Sequence, residues 1–461
     1  MARPLGWLLN FVIAISLIIV NIGHSSVGGT FEKDSNAKLT LDNPELKAEL
    51  IVEGMDFPTA MSFLGSNDIL VLEKEGTIRR ITEGKLLKEP LIDLNVSAVG
   101  ENGLTGIAIA DNELKQIGNS SRIFLYFSES SNSDTMDPDG FSRNRLYRYE
   151  FMNDQFTKPK LLLDLPIGDN VHNGGKIVIG PDKNVYVSVG DTGRYGANMY
   201  SKTQNNNEGR EPDGTGGLLR MTQDGGPVME NATKKLGSEY PLNLYYAYGI
   251  RNSFGMDFDP VTGNLWITEN GPSFGDEINL VEPGFNSGWN KVQGFWKNEA
   301  GEKGEPDLNP EDLVDFDGKG KYSVPEFVWN LTVGPTALKF FNSTKLGEEY
   351  KNDIFVGDFN NGYIYHFELN ENRTELSTAN LLKDKLLDIN KEDRSKGEIF
   401  AQGPGGIMDI QVGPDGYMYV LALLQKGSDC DPDAAGCVVD NNSKIQGAIF
   451  RINSTASKSL T

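Results

Sequence analysis

His172 stands in the run Val171-His172-Asn173-Gly174-Gly175-Lys176, and of the three histidines (His24, His172 and His366) it alone is followed by Asn-Gly-Gly. An imidazole titrates near neutrality, so it can take a proton from a hydroxyl at physiological pH. The two glycines let the backbone turn tightly or come close to a ligand. Beyond them an alternating run, Val185-Tyr186-Val187-Ser188-Val189, ends at Gly190-Asp191. A rare titratable group between a pliable loop and a stiff strand could be a general base, and it could equally be an ordinary loop histidine. The elements that would hold it must decide.

The run after His172 is one of a set. Short β-patterned stretches recur as DILVLEK, RIFLYFS, NVYVSVGD, NLWITEN, DIFVGDF and YMYVLAL. Each is followed by a second apolar pattern: GTIRRI, NRLYRYEF, GGLLRM, DEINLV, NGYIYHFEL and GAIFRI. Turn-rich phrases such as GPDKN, DPVTGN and GPDGY precede several of them, the signature of strands joined by tight turns. Six copies, roughly fifty to ninety residues apart, make an internal repeat, and radially repeated sheets make a propeller. The expected fold is therefore all-β, a six-bladed β-propeller of four-stranded antiparallel blades spanning residues 48–455, with an open β-sandwich as the alternative. Residues 298–321 interrupt the repeat and read as an excursion on one face. A propeller's central channel gathers loops from every blade, so the residues bordering these strands are the ones to inspect.

Composition narrows the function classes. A net charge of −22 argues against nucleic acid, because a polyanion needs a basic footprint. It suits an extracytoplasmic protein with room for cations. One arginine precedes an apolar run from Leu8 to about Ile22, the layout of a secretory signal and short for a membrane span. Residues 1–27 are read as a signal peptide or N-terminal anchor, 28–47 as a linker and 456–461 as a polar tail. The expected location is secreted, or tethered to the outer face of a membrane if the leader is retained. Cys430 and Cys437, the only cysteines, read in that setting as one disulfide closing a surface loop. Asp429, Asp431 and Asp433 alternate in the same loop and could hold Ca²⁺, but the rest of an EF-hand pattern is missing. N-x-S/T acceptors at Asn95, Asn119, Asn231, Asn330, Asn342, Asn372, Asn441 and Asn453 fit a glycoprotein.

Several motifs in order carry a resemblance. VEGMDFPTAMSFL, GENGLTGIAI, HNGGKIVIGPDKNVYVSVGDTG, YGIRNSFGMDFDPVTGNLWITENGPSFGDEINLVEPGFNSGW and GPDGYMYVLAL are similar to successive blades of the soluble quinoprotein sugar dehydrogenases, the glucose/sorbosone dehydrogenase family. The likeness runs from about Glu49 to Ile452. It implies oxidation of an aldose at C1, with pyrroloquinoline quinone and Ca²⁺ as cofactors and an external electron acceptor. It places His172 at the catalytic base and Asp191 as the carboxylate that orients it. The acid that often directly precedes the histidine in glucose-oxidising relatives is here Val171, so the resemblance leaves orientation to Asp191 alone. Arg251 falls at the quinone's reactive edge, where a permanently cationic, forked donor stabilises a developing oxyanion. Asn252 falls beside it. Gly271 and Pro272 fall where backbone carbonyls hold the Ca²⁺, with Asn270 and Asp276 facing cofactor or substrate. Glu101 matches a pocket position. Trp329 could wall the sugar ring, or could be blade core.

Two segments depart from the family pattern. Asn360 and Asn361 stand where relatives carry basic residues, and Gly406 and Met408 stand where glucose-oxidising relatives carry arginines. The quinone has three carboxylates, and each lost charge-assisted contact costs about 1.5–3 kcal/mol. Lys176 could compensate. The alternative function is a non-catalytic propeller that binds carbohydrate or protein.

Overall fold

The computed structural model describes residues 37–110, 121–130, 142–193, 200–229, 236–306, 309–378, 384–388, 398–424 and 445–455. The leader, the polar tail, Cys430, Cys437 and the aspartates beside them, and the acceptors Asn119, Asn231 and Asn441 lie outside these residues. Within them the chain is all-β: strands, turns and a few single turns of 3₁₀ helix, with no α-helix. No helix among the described residues is long and apolar enough to cross a membrane.

The six β-patterned runs are the second strands of six successive sheets. They are Asp68–Glu73, Ser121–Glu129, Val185–Val189, Leu265–Glu269, Ile354–Asp358 and Met418–Leu424. Each pairs antiparallel with the apolar pattern that follows it in sequence. All five residues of Val185–Val189, Leu265–Glu269 and Ile354–Asp358 are buried, because these strands are covered on both faces by neighbouring sheets. The first strands are Pro58–Gly65, Leu104–Ala110, Ile177–Ile179, Met256–Phe258, Pro335–Phe340 and Ile407–Val412. They touch in sequence order, and the sixth also touches the first. The apolar clusters follow suit: Leu125 packs with Ala60 and Leu72, Phe124 with Val187, Trp266 with Val356, and Met61 with Leu421. Each cluster joins one sheet to the next, and the last joins the sixth sheet to the first.

Two sheets have four strands; the others carry more. Lys321–Tyr322, at the end of the expected excursion, pairs parallel with Phe285–Asn286 and widens the third sheet. Val292–Gln293, Trp296–Glu299 and Glu302–Lys303 form a small sheet of their own. The sixth sheet combines both ends of the described chain: Leu46–Asp56 pairs with Gln446–Ser454. Thr40–Leu41, in the stretch expected as linker, pairs with Ala401 and Gln402.

The recurring turn phrases are built on aspartate side chains. Asp182 accepts from Asn184 N (3.1 Å) and Tyr186 Oη (2.9 Å), and Asp415 accepts from Tyr417 N (3.2 Å) and Tyr419 Oη (2.8 Å). Such aspartates substitute for a backbone acceptor and fix the entry into the next strand. Across the middle, Lys176 Nζ meets Asp409 Oδ1 at 2.8 Å, and Asp409 Oδ2 accepts from Met61 N at 3.0 Å. These contacts tie the third, sixth and first sheets together.

Candidate active site

Glu101, His172 and Arg251 occupy the segments that lead into the first strands of the second, third and fourth sheets, whereas Asp191 and Asn270 follow second strands. Antiparallel pairing of first and second strands brings all five to one end of the sheets. His172 Nδ1 lies 2.6 Å from Asp191 Oδ1, with both side chains buried. His172 has a φ of 56°, a left-handed conformation that costs energy for a residue with a Cβ. The strain is held by its neighbours. Glu101 Oε2 accepts from His172 N (2.7 Å), and Thr192 N donates to His172 O (3.1 Å). Gly190 is required here, since a Cβ on it would sit 2.1 Å from His172 O.

Asp191 is more firmly fixed than the sequence suggests. Its Oδ1 also accepts from Gly193 N (2.8 Å), its Oδ2 accepts from Trp289 Nε1 (2.7 Å), and its own N donates to Arg251 O (2.8 Å). Burial alone would push its carboxyl up. The neighbouring His172 ring, the Arg251 charge and the bond from Gly193 N outweigh burial and hold it below the usual carboxylate range. With Nδ1–H donating to the carboxylate, the acceptor lone pair of a neutral imidazole is on Nε2.

Arg251 is 9% exposed. Its Nη1 donates to Asn270 O (2.8 Å), its guanidinium lies over the Trp289 ring (5.4 Å), and its buried Nε has no hydrogen-bond partner. Asn252 is a bridge: Oδ1 accepts from Gly174 N (3.2 Å) and Nδ2 donates to Glu101 Oε2 (3.0 Å). Glu101 therefore braces His172 and Asn252 together. Asn270 Nδ2 contacts the carbonyls of Asn252 (3.2 Å) and Pro335 (3.3 Å), linking the fourth and fifth sheets.

Two site residues read from the sequence have different jobs. Asp276 does not face a ligand: it is fully buried and accepts from Gly271 N (2.7 Å), Val333 N (2.6 Å) and Gly334 N (2.8 Å). It clamps the Gly271-Pro272 turn to the lead-in of the fifth sheet. Trp329 cannot wall a sugar, because it is fully buried in the core against Phe327 and Tyr365. Its strand is paired at both edges, and its ring packs into the cluster between the fourth and fifth sheets. Lys176 is committed to Asp409. Asn360 Nδ2 donates to Thr332 O (3.1 Å), and Asn361 caps Asp358 through N (2.8 Å) and Nδ2 (3.0 Å).

Beneath Arg251 lies a pair of buried acids that sequence reasoning missed. Glu269 Oε1 accepts from Arg251 N (2.7 Å), and Ser287 Oγ sits between Glu269 Oε2 (2.6 Å) and Glu277 Oε2 (3.2 Å). Burial raises both carboxyls, and the charge of Glu269 raises Glu277 further. Burial likewise pushes Asp276 and Asp358 up to about 6. Such groups hold more protons in the folded chain than in the unfolded one between their two pKa values. Their contribution to stability is complete below the unfolded value of about 4 and is lost as pH rises through the folded value. The melting temperature should therefore fall between pH 5 and pH 8. Glu269→Gln should flatten that slope, raising stability at pH 8 relative to the parent; parallel melting curves for the two chains would contradict this assignment. The only sequence signal for Glu269 was an acid ending a strand that is otherwise apolar or small.

The chain is similar to known proteins along most of its length. The aldose sugar dehydrogenase YliI of Escherichia coli is 27% identical over 401 residues, 83% of this chain and 91% of that protein. The apo crystal structure of the soluble aldose sugar dehydrogenase from Escherichia coli superposes with a TM-score of 0.63 at 22% identity, covering 89% of this chain and 99% of that one. The PQQ-bound aldose sugar dehydrogenase of Streptomyces coelicolor superposes with a TM-score of 0.59 at 19% identity, covering 88% and 98%. A profile described as Glucose / Sorbosone dehydrogenase matches residues 55–428, and the chain belongs to that family.

Proposed function

We propose that this chain is an exported quinoprotein dehydrogenase that oxidises an aldose, or a similar sugar, at C1. The observation that carries the reading is the buried His172–Asp191 pair beside Arg251. The six sheets are read as the blades of a six-bladed propeller whose lead-in segments form the site. The apolar leader supports export, and an external electron acceptor completes the cycle.

The catalytic edge fits a quinone. Arg251 offers a buried Nε with no partner, and Asn270 O and Trp289 hold its guanidinium in place. Gly271 and Pro272 supply the backbone carbonyls suited to Ca²⁺, on a turn fixed by Asp276. Pyrroloquinoline quinone, when bound, supplies the carbon that accepts hydride. His172 Nε2 takes the proton of the C1 hydroxyl, and the resulting imidazolium is stabilised by Asp191. Arg251 presents positive charge to the oxygen on which negative charge builds. Glu101 and Asn252 keep these groups in register.

The acidic edge of the quinone is less well served. Asn360, Asn361 and Lys176 are all bonded to protein groups, and Gly406 carries no side chain. This neutral rim supports the second reading, a binding propeller without redox chemistry. Titration of the chain lacking its leader with pyrroloquinoline quinone, with and without Ca²⁺, separates the two. The dehydrogenase reading expects saturable, Ca²⁺-dependent binding at about micromolar quinone, roughly −8 kcal/mol, together with aldose-dependent dye reduction. No absorbance change and no dye reduction with quinone in large excess would overturn the dehydrogenase reading and leave the binding propeller.

A further inference from the structure

Trp289 touches both halves of the site, and the family resemblance assigns it no role. Its Nε1 donates to Asp191 Oδ2 at 2.7 Å, on the oxygen that His172 does not use, and its ring lies 5.4 Å under the Arg251 guanidinium. Trp289 is 3% exposed. Its backbone is tied on both sides: N donates to Gly249 O (3.0 Å) and O accepts from Asn205 Nδ2 (2.8 Å). Asn205 in turn exchanges amide bonds with Asn286, at 3.0 and 2.8 Å. The indole thus projects from a rigid base toward two groups that must keep a fixed relation to each other.

We propose that Trp289 is a positioning residue that sets the Asp191 carboxylate against His172 and the Arg251 guanidinium against the same reacting centre. Without it Asp191 Oδ2 loses its indole donor in a buried site, and rotation of the carboxylate would draw His172 off line. The proposal rests on the dehydrogenase reading for its consequence in turnover, but the hydrogen-bonded arrangement itself does not. Other charged or titratable groups near the pair are Glu101 on His172 N, Glu269 on Arg251 N, and Tyr200, whose hydroxyl is raised by burial and then by Asp191.

Trp289→Phe keeps a ring for Arg251 and removes only the N–H. In the quinone-loaded chain we expect kcat to fall about tenfold or more with KM little changed, the behaviour of misplaced reacting groups. In the ligand-free chain, proton NMR should show the His172 ring N–H resonance displaced from its position in the parent, because Asp191 Oδ2 has lost its indole donor and the carboxylate sits differently against the ring. An unmoved resonance with unchanged kcat would reduce Trp289 to a packing residue. If Trp289→Phe does not fold, the Trp289 indole N–H resonance of the folded chain should move when His172 is replaced in His172→Gln, and an indole blind to that replacement overturns the proposal. A displaced His172 resonance in a chain that reduces no dye would sink the dehydrogenase and leave the positioning intact.

Discussion

His172→Gln lowers aldose-dependent dye reduction by about a thousandfold, within the usual range for a lost general base, and leaves the melting temperature unchanged. Glutamine keeps much of the side-chain volume and can still hydrogen-bond to Asp191, but it has no nitrogen able to take a proton near neutrality. The left-handed backbone at position 172 is retained, since Glu101, Thr192 and Gly190 impose it through main-chain contacts. Quinone affinity should be nearly the same, because in the proposed function binding rests on Arg251, Asn252 and the Gly271-Pro272 turn. Steady-state kinetics, quinone titration and thermal melting on one preparation test all three parts. A variant as active as its parent would remove His172 from the chemistry and with it the dehydrogenase reading.

The second large effect is on stability. Asp276→Ala strips the acceptors from three main-chain N–H groups, those of Gly271, Val333 and Gly334, in a place that water does not reach. A buried donor left without a partner costs about 1–3 kcal/mol, and neighbouring losses are not additive, so we expect a destabilisation of about 3–5 kcal/mol in denaturant titrations. The loss should be larger at pH 5 than at pH 8: burial penalises the charged carboxylate of the parent, whose pKa is about 6, so the parent is itself less stable at the higher pH. Ca²⁺ affinity should fall with it, since Gly271 and Pro272 form the turn that Asp276 clamps. A cost below about 1 kcal/mol would mean that the three N–H groups find other partners.

Much of the fold was legible. Six runs of β-branched and aromatic residues are all second strands, because a strand covered on both faces needs apolar residues at nearly every position. The first strands were harder to see: Ile177–Ile179 and Met256–Phe258 are three residues each, and their place is fixed by pairing. At the site, His172 stood out as a rare residue type beside Asn-Gly-Gly, whereas Asp191, Arg251 and Asn252 were singled out by the resemblance, and the structure brings all four together. For Asp276 and Trp329 the direction of the side chain was not legible, for a shared reason. Both lie on paired strands, directly opposite each other in register, and which way such a side chain points depends on partners distant in sequence. Trp289 and Glu269 bind their partners across 98 and 18 positions respectively, and no local pattern encodes a partner so placed.

The pairing of Leu46–Asp56 with Gln446–Ser454 also bears on how the molecule comes into being. A ribosome releases the first of these strands roughly four hundred residues before the second, at about 5–20 residues per second. Throughout synthesis the sixth sheet therefore lacks a partner strand, and the loop that must close to complete it is nearly the length of the chain. Entropy of closure grows only slowly with loop length, so the finished molecule loses little stability by this arrangement. The rate is another matter, because contacts so distant in sequence form late. A nascent chain that cannot seal itself remains threadable, which is what a translocation channel would require of it under the proposed export.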